Sequence, residues 1–191
     1  MTLNLTICKA SEVENIINRH EEIGKPFHAV ISIEHPCDES VTLENGRAPR
    51  LVHAIGPQWA ERQLILTCWD IEKALPNTPA PHRELVEDAI GHFDKWRSLD
   101  GPTNLLVHCR SGKARSTALG LTLLRYCMGP GTEQECLERL LIVRPIAAPN
   151  IAIVQHGDVI LGCEGKLVQA VLDDENVSIR RAKANETRVK S

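Results

Sequence analysis

Aromatic residues are scarce: Phe, Trp and Tyr make up 3% of the chain, with a single Tyr, so a deep ring-lined wall around a ligand has little material. No apolar run approaches the roughly 18 residues that a membrane-spanning helix needs. Met1 to Ala10 has no charged segment ahead of an apolar one, so no secretory leader is expected and a cytoplasmic location is. Neither sign of charge dominates: 22 basic against 25 acidic residues leave −3, which excludes a blanket attraction to nucleic acid or anionic lipid. Any affinity for an anion must therefore be local. No internal repeat is visible. The cysteines number seven, an odd count without a Cys-x-x-Cys pair, which argues against a disulfide framework and a zinc site. Cys127 and Cys136 are expected to pack as small apolar groups in helices.

What the chain does have is concentrated at residues 108–116, His-Cys-Arg-Ser-Gly-Lys-Ala-Arg-Ser. These residues lie between a short apolar, β-prone run and a helix-forming run that ends at Met128. Strand, tight loop and helix are predicted, an order that aims the backbone N–H groups of the loop at one point. A helix N-terminus carries unpaired donors and about half a positive charge, and so favours an anion. A cysteine placed there among cations has its thiolate favoured over its thiol, and the thiolate is the nucleophile. Cys109 holds that position. Arg115 offers a planar fork of donors to two oxygens of one phosphate, a geometry that Lys cannot reproduce. Gly112 allows the loop to turn tightly. Ser116 can donate its hydroxyl to the sulfur when that sulfur departs, and His108 is expected to orient the loop and add positive potential when protonated. Arg110, Ser111, Gly112, Lys113, Ala114 and Arg115 form the expected phosphate-binding set. With average residue usage, the pattern arises by chance in a chain of this size with a probability on the order of 10⁻⁵. A nucleotide-binding Walker loop is excluded, because Ala114 follows Lys113 and Val107 stands where the first Gly belongs.

The segment resembles the phosphate-binding loop of the protein tyrosine phosphatase superfamily, His-Cys-x-x-Gly-x-x-Arg-Ser/Thr, and is most similar to its compact dual-specificity branch. Downstream, Arg144-Pro145-Ile146-Ala147-Ala148-Pro149-Asn150 resembles the Arg-Pro…Pro-Asn segment that follows the active-site helix in dual-specificity phosphatases. The likeness covers about residues 60–165. It implies a single α/β domain and hydrolysis of phosphomonoesters through a phosphocysteine, with no metal or other cofactor. It also implies catalytic roles for Cys109, Arg115, Ser116 and His108, and a supporting role for Asn150.

Expelling an alkoxide or phenoxide calls for a general acid on a separate loop over the same sheet edge. Asp70 is the candidate. It follows Gln63-Leu64-Ile65-Leu66-Thr67, an apolar strand pattern, and so falls at the C-terminal end of a strand, as Cys109 does. If the two strands run parallel, both residues face one crevice. The family places its acid somewhat nearer the cysteine in sequence, and the Pro-rich stretch from Leu75 to Pro81 accommodates the extra length. Asp100 would be carried to the opposite end of the strand, roughly 17 Å away or more at about 3.3 Å per residue. Asp94 lies within a predicted helix. Asp38 or Glu39 can reach the site from a long turn-rich connection at 34–62, and both stay open as alternatives. Cys68, close to Asp70, can cap Cys109 as a disulfide under oxidation, although burial would leave it inert.

At 191 residues, 42% hydrophobic and 25% charged, the chain has the composition of one soluble α/β domain. Thr2 to Cys8 alternates like a strand, Ser11 to Glu14 reads as a capping box opening a helix to about His20, and His28 to Ile33 reads as a buried strand. Pro81 to Arg97 places Leu85, Ala89, Phe93 and Trp96 on one helical face. Helices over Thr132–Val143 and Asn150–Leu161 complete an α/β fold, a mostly parallel central sheet flanked by helices. Residues 1–172 are expected to be the phosphatase domain. From 173 to 191 a basic tail is expected, flexible or helical, solvated in preference to docking on a membrane or partner.

The substrate is the least legible part. Arg110 and Lys113 add cations at variable positions of the loop, as in lipid and inositol phosphatases of the superfamily, which suits polyanionic substrates. A phosphorylated protein is the leading expectation, with broad specificity favoured by the shortage of aromatics, and a lipid or inositol phosphate is the alternative. A catalytically silent module that binds a phosphorylated partner is the reading from another class. Neither nucleic acid nor an integral membrane segment is expected to be involved.

Overall fold

The two most continuous apolar runs form the middle of the sheet, and the reason is that both of their faces are covered. The structure, a computed structural model, describes residues 2–36, 59–97 and 101–189. In chain order its strands and first helices are β1 (Leu3–Lys9), α1 (Val13–Glu22), β2 (Ala29–Glu34), β3 (Gln63–Thr67), α2 (Arg83–Trp96) and β4 (Thr103–Cys109). The helices α3 (Arg115–Met128), α4 (Glu133–Val143), α5 (Ile151–Ile160), α6 (Lys166–Asp173) and α7 (Glu175–Val189) follow. The sheet order is β1-β4-β2-β3, and every pairing is parallel. The expected architecture, α/β with helices flanking a parallel sheet, is the observed one.

Period-2 alternation divides the two central strands between two cores. Ile31, Ile33, Leu105 and Val107 pack with α2 through α6, whereas Val30 and Leu106, one residue out of step, pack with Val13 and Ile17 of α1 and with Phe27. β2 is buried at every position, so it reads as a continuous apolar run without alternation. α3 is buried from Arg115 through Arg125, the mark of a helix enclosed on all sides. Its neighbour α5 comes close at Gly157, where a Cβ would lie 2.4 Å from the Thr122 hydroxyl oxygen of α3. The site helix is therefore clamped along its length, with little freedom to shift its N-terminus.

Two details differ from the sequence expectation. The first helix begins earlier: a 3-10 turn covers Ala10–Glu12, and the carboxylate of Glu12 accepts from the Lys9 N–H, so the capping interaction sits ahead of Ser11 and Glu14. α6 was not anticipated, although Leu167, Ala170 and Val171, spaced three and four apart, form its buried stripe. Residues 175–189 take the helical of the two forms expected for the tail, and buried Val177 packs against the main core. Asp38, Glu39, Asp100, Cys37 and most of the 34–62 connection lie outside the described residues. Among the described residues, no helix is long and apolar enough to cross a membrane.

Candidate active site

The C-terminal ends of the strands are level. Cys109 closes β4 and is the register partner of Lys9 in β1 and Ile33 in β2, while Glu34 pairs with Thr67 at the end of β3. The loops leaving these strands thus open along one edge, where α/β sheets hold their ligands.

Residues 110–114 connect Cys109 to α3. Gly112 has φ +64°, and a Cβ there would stand 2.5 Å from the carbonyl carbon and oxygen of Cys8, so the loop lies directly on the end of β1. The loop carbonyls from Ser111 to Ala114 are all turned toward the scaffold. Arg144 donates through Nε to the Gly112 carbonyl (2.9 Å) and through a terminal nitrogen to that of Ser111 (3.5 Å). The Ala148 N–H holds the Lys113 carbonyl (2.8 Å), and the Asn150 N–H and the Thr117 hydroxyl hold that of Ala114 (3.2 and 3.0 Å). Among the described residues, no backbone amide of Arg110 through Ala114 donates to another group. Carbonyls fastened outward leave amides facing the other way, which is the cradle an oxyanion requires.

Arg115, the first residue of α3, is 2% exposed. Its Nη1 donates to the carbonyls of Glu34 (2.6 Å) and Cys68 (2.9 Å), the one ending β2 and the other just past β3. Its Nε is buried without a partner. Leaving such a donor unpaired costs about 1–3 kcal/mol, which a bound anion would offset. Cys109 is fully buried, with its sulfur 3.2 Å from the Ser116 hydroxyl, a hydrogen bond the hydroxyl donates when the sulfur is a thiolate. Nε2 of His108 shares a 2.8 Å hydrogen bond with the Ser32 hydroxyl, which accepts from Gln63 at 2.8 Å. Burial lowers the His108 value from 6.5 to about 4, so this ring is neutral at neutral pH. At that pH it adds no positive charge, and its hydrogen bond to Ser32 ties β4 to β2 beside Cys109.

Asp70 is half-buried just beyond β3, and Asn150 connects it to the loop. Asn150 is fully buried, caps α5 by accepting from the Ala152 and Ile153 N–H groups (3.1 and 3.4 Å), and donates through Nδ2 to the Asp70 carboxylate (3.2 Å) and the Ile71 carbonyl (3.1 Å). Its own N–H is the one that holds Ala114. One residue therefore joins the Asp70 segment, α5 and the loop. Asp94, by contrast, accepts from the Tyr126 hydroxyl (2.8 Å) in the last turn of α3, at the end opposite Arg115. Burial pushes the thiols of Cys8 and Cys68 up to about 12, which disfavours both as thiolates toward Cys109.

Human DUSP28 superimposes with a TM-score of 0.56 at 15% identity, covering 86% of this chain and 94% of its own. DUSP15 gives 0.55 at 19% identity, over 90% and 93% of the two chains. PTPMT1 in complex with PI(5)P gives 0.54 at 15% identity, over 88% and 92%. The fold is that of the dual-specificity phosphatases. No protein-family model and no curated protein sequence matches the chain.

Around this site the structure adds residues to which sequence reasoning assigned no role. Arg144 stood in the Arg-Pro segment, but its grip on the loop carbonyls is visible only in three dimensions. Glu72 accepts from the Ile151 N–H (3.1 Å) and from Arg181, two elements far away in sequence, and no local signal marks it. Arg110 and Lys113 are exposed and make no ion pair among the described residues.

Proposed function

We propose that the chain hydrolyses phosphomonoesters through a phosphocysteine intermediate, with phosphorylated proteins, phosphotyrosine included, as its substrate class. The observation that carries the reading is the loop 109–115: outward-fastened carbonyls, unengaged amides and a buried arginine with a spare donor surround one cysteine sulfur. In the first step the Cys109 thiolate attacks phosphorus and forms the S–P bond. The ester P–O bond breaks, Asp70 protonates the departing oxygen, and Arg115 with the amides of Arg110, Ser111, Gly112, Lys113 and Ala114 holds the equatorial oxygens. In the second, Asp70 takes a proton from a water whose oxygen attacks phosphorus, and the S–P bond breaks. Ser116 donates to the thiolate as it leaves, His108 steadies the strand end, and Asn150 orients Asp70.

A second reading, a lipid or inositol phosphate substrate with the same chemistry, is favoured by the exposed cations Arg110 and Lys113 of the loop. PTPMT1, whose fold is similar, is described bound to PI(5)P. Phosphate release by wild type and Cys109→Ser, in reductant and EDTA, tests these readings. The panel comprises phosphotyrosine, phosphoserine and phosphothreonine peptides, phosphoinositides and an aryl phosphate. Release that survives EDTA and disappears in the variant is expected, with peptides preferred. A preference for phosphoinositides would select the second reading. Phosphopeptide binding without turnover by the wild type would instead identify a silent binding module.

A further inference from the structure

The C-terminal helix reaches both supports of the site. Glu72, two residues beyond Asp70, accepts from Arg181 through both carboxylate oxygens (3.0 and 3.1 Å), from the Asn185 side chain (2.8 Å) and from the Ile151 N–H (3.1 Å). The preceding residue, Arg180, donates to the Ala147 carbonyl (2.7 Å), next to the Ala148 amide that holds the loop at Lys113. Consecutive arginines of α7 thus grip the acid segment and the segment under the phosphate loop. Asn150, which joins these segments to each other, lies between the two grips.

The Arg181–Glu72 pair differs from an ordinary surface bridge. Its side chains are 11% and 13% exposed, and its geometry is bidentate, whereas the bridges Arg83–Glu87 and Arg139–Glu135 lie on open helix faces. A bidentate, largely desolvated pair fixes direction as well as distance. α7 is already anchored by buried Val177, so its attachment does not rest on the pair alone. The pair specifically constrains residues 70–72.

We propose that Arg181 is a positioning residue of the active site: through Glu72 it sets the Asp70 segment over the Cys109 loop, making α7 part of the catalytic apparatus. The proposal rests on the phosphatase reading above. Glu72 is held by two elements, by Arg181 of α7 and by the first amide of α5. Releasing the α7 side lets the segment drift while leaving Cys109, Arg115 and the loop amides in place. An activated aryl phosphate, whose leaving group departs without a proton, should feel this little. An alkyl phosphate, which needs the acid, should feel it strongly.

The test compares Arg181→Ala, Arg181→Lys and the milder Asn185→Ala with the wild type on an aryl phosphate of low leaving-group pKa and on a phosphoserine peptide. Hydrogen exchange at 68–73 and 150–153 is measured on the same proteins without substrate. We expect Arg181→Ala to lose at least about tenfold in kcat/KM on the phosphoserine peptide and no more than about threefold on the aryl phosphate. Arg181→Lys should fall between Arg181→Ala and the wild type, and exchange should quicken at both segments. Equal losses on the two substrates would overturn the proposal, as would unchanged exchange at 68–73. Should the wild type release phosphate from neither compound, the phosphatase reading fails by itself, and the exchange arm still decides whether α7 sets the segment.

Discussion

Gly112 is the residue at which the loop has least tolerance. The atoms a Cβ would meet are the backbone carbon and oxygen of Cys8, both at 2.5 Å, and the Lys9 nitrogen at 2.7 Å, none of which can rotate away as a flexible side chain would. Together with the positive φ, this predicts that Gly112→Ala costs about 2–4 kcal/mol, read as a lower urea midpoint, along with most phosphate release. A variant with wild-type midpoint and rate would show that the loop does not rest on β1. Arg115 carries a second prediction at this scale. Its Nη1 satisfies the carbonyls of Glu34 and Cys68, which leaves the Nε–Nη2 edge for a phosphate, and a lysine has one nitrogen for both tasks. Arg115→Lys is therefore expected to lower kcat by about 10²–10³ and to weaken orthovanadate inhibition in parallel. Undiminished vanadate inhibition would remove Arg115 from the phosphate site.

Between elements, Asn150 is the most heavily used joint. Asn150→Ala removes the α5 cap, worth about 1 kcal/mol, and leaves the Ile71 carbonyl without its donor, for a total of about 2–4 kcal/mol in thermal or urea unfolding. Asn150→Asp is the sharper variant. Its carboxylate still caps α5 but cannot donate, and it stands within hydrogen-bond distance of the Asp70 carboxylate. Keeping the α5 cap but losing the donor to Ile71, it should cost about 1–3 kcal/mol, with a marked loss on poor leaving groups; unchanged leaving-group dependence would mean that Asn150 does not orient Asp70. This joint also marks the limit of what the sequence discloses. β2 and β4 were legible as short, nearly continuous apolar runs and most helices by their 3.6-residue period, and Cys109, Arg115 and Ser116 were legible because the loop is contiguous. Asp70 was reached from topology, since parallel strands bring their C-terminal ends together. Glu72 with Arg181, Arg144 with Gly112, and Ser32 with His108 join residues that share no local pattern. The tail misled through composition: Arg180 and Arg181 read as solvated charge, yet they contact a carbonyl and a carboxylate.

For the whole molecule, the strand that ends in Cys109 also couples stability to pH. His108 lies one residue before Cys109, 1% exposed, and burial holds its folded-state value near 4 against an ordinary 6.5. Between those pH values the unfolded chain binds a proton that the folded chain refuses. Stability from this residue is therefore complete above about 6.5 and declines as pH falls toward 4, by about 3 kcal/mol in all. That is a large share of the roughly 5–15 kcal/mol that holds a domain together. Glu133 acts in a lower window. Burial works against its ionisation, the Arg125 hydrogen bond overrides that, and the net lowering means its contribution is lost only as pH drops below 4.5. Urea midpoints of wild type and His108→Gln at pH 7, 6, 5 and 4.5 separate the two. The wild type should lose stability more steeply than the variant across this range, because a glutamine side chain takes up no proton in either state. Parallel curves would mean that His108 does not keep its neutral form in the fold, and the acid sensitivity of the domain would then have to come from its carboxylates.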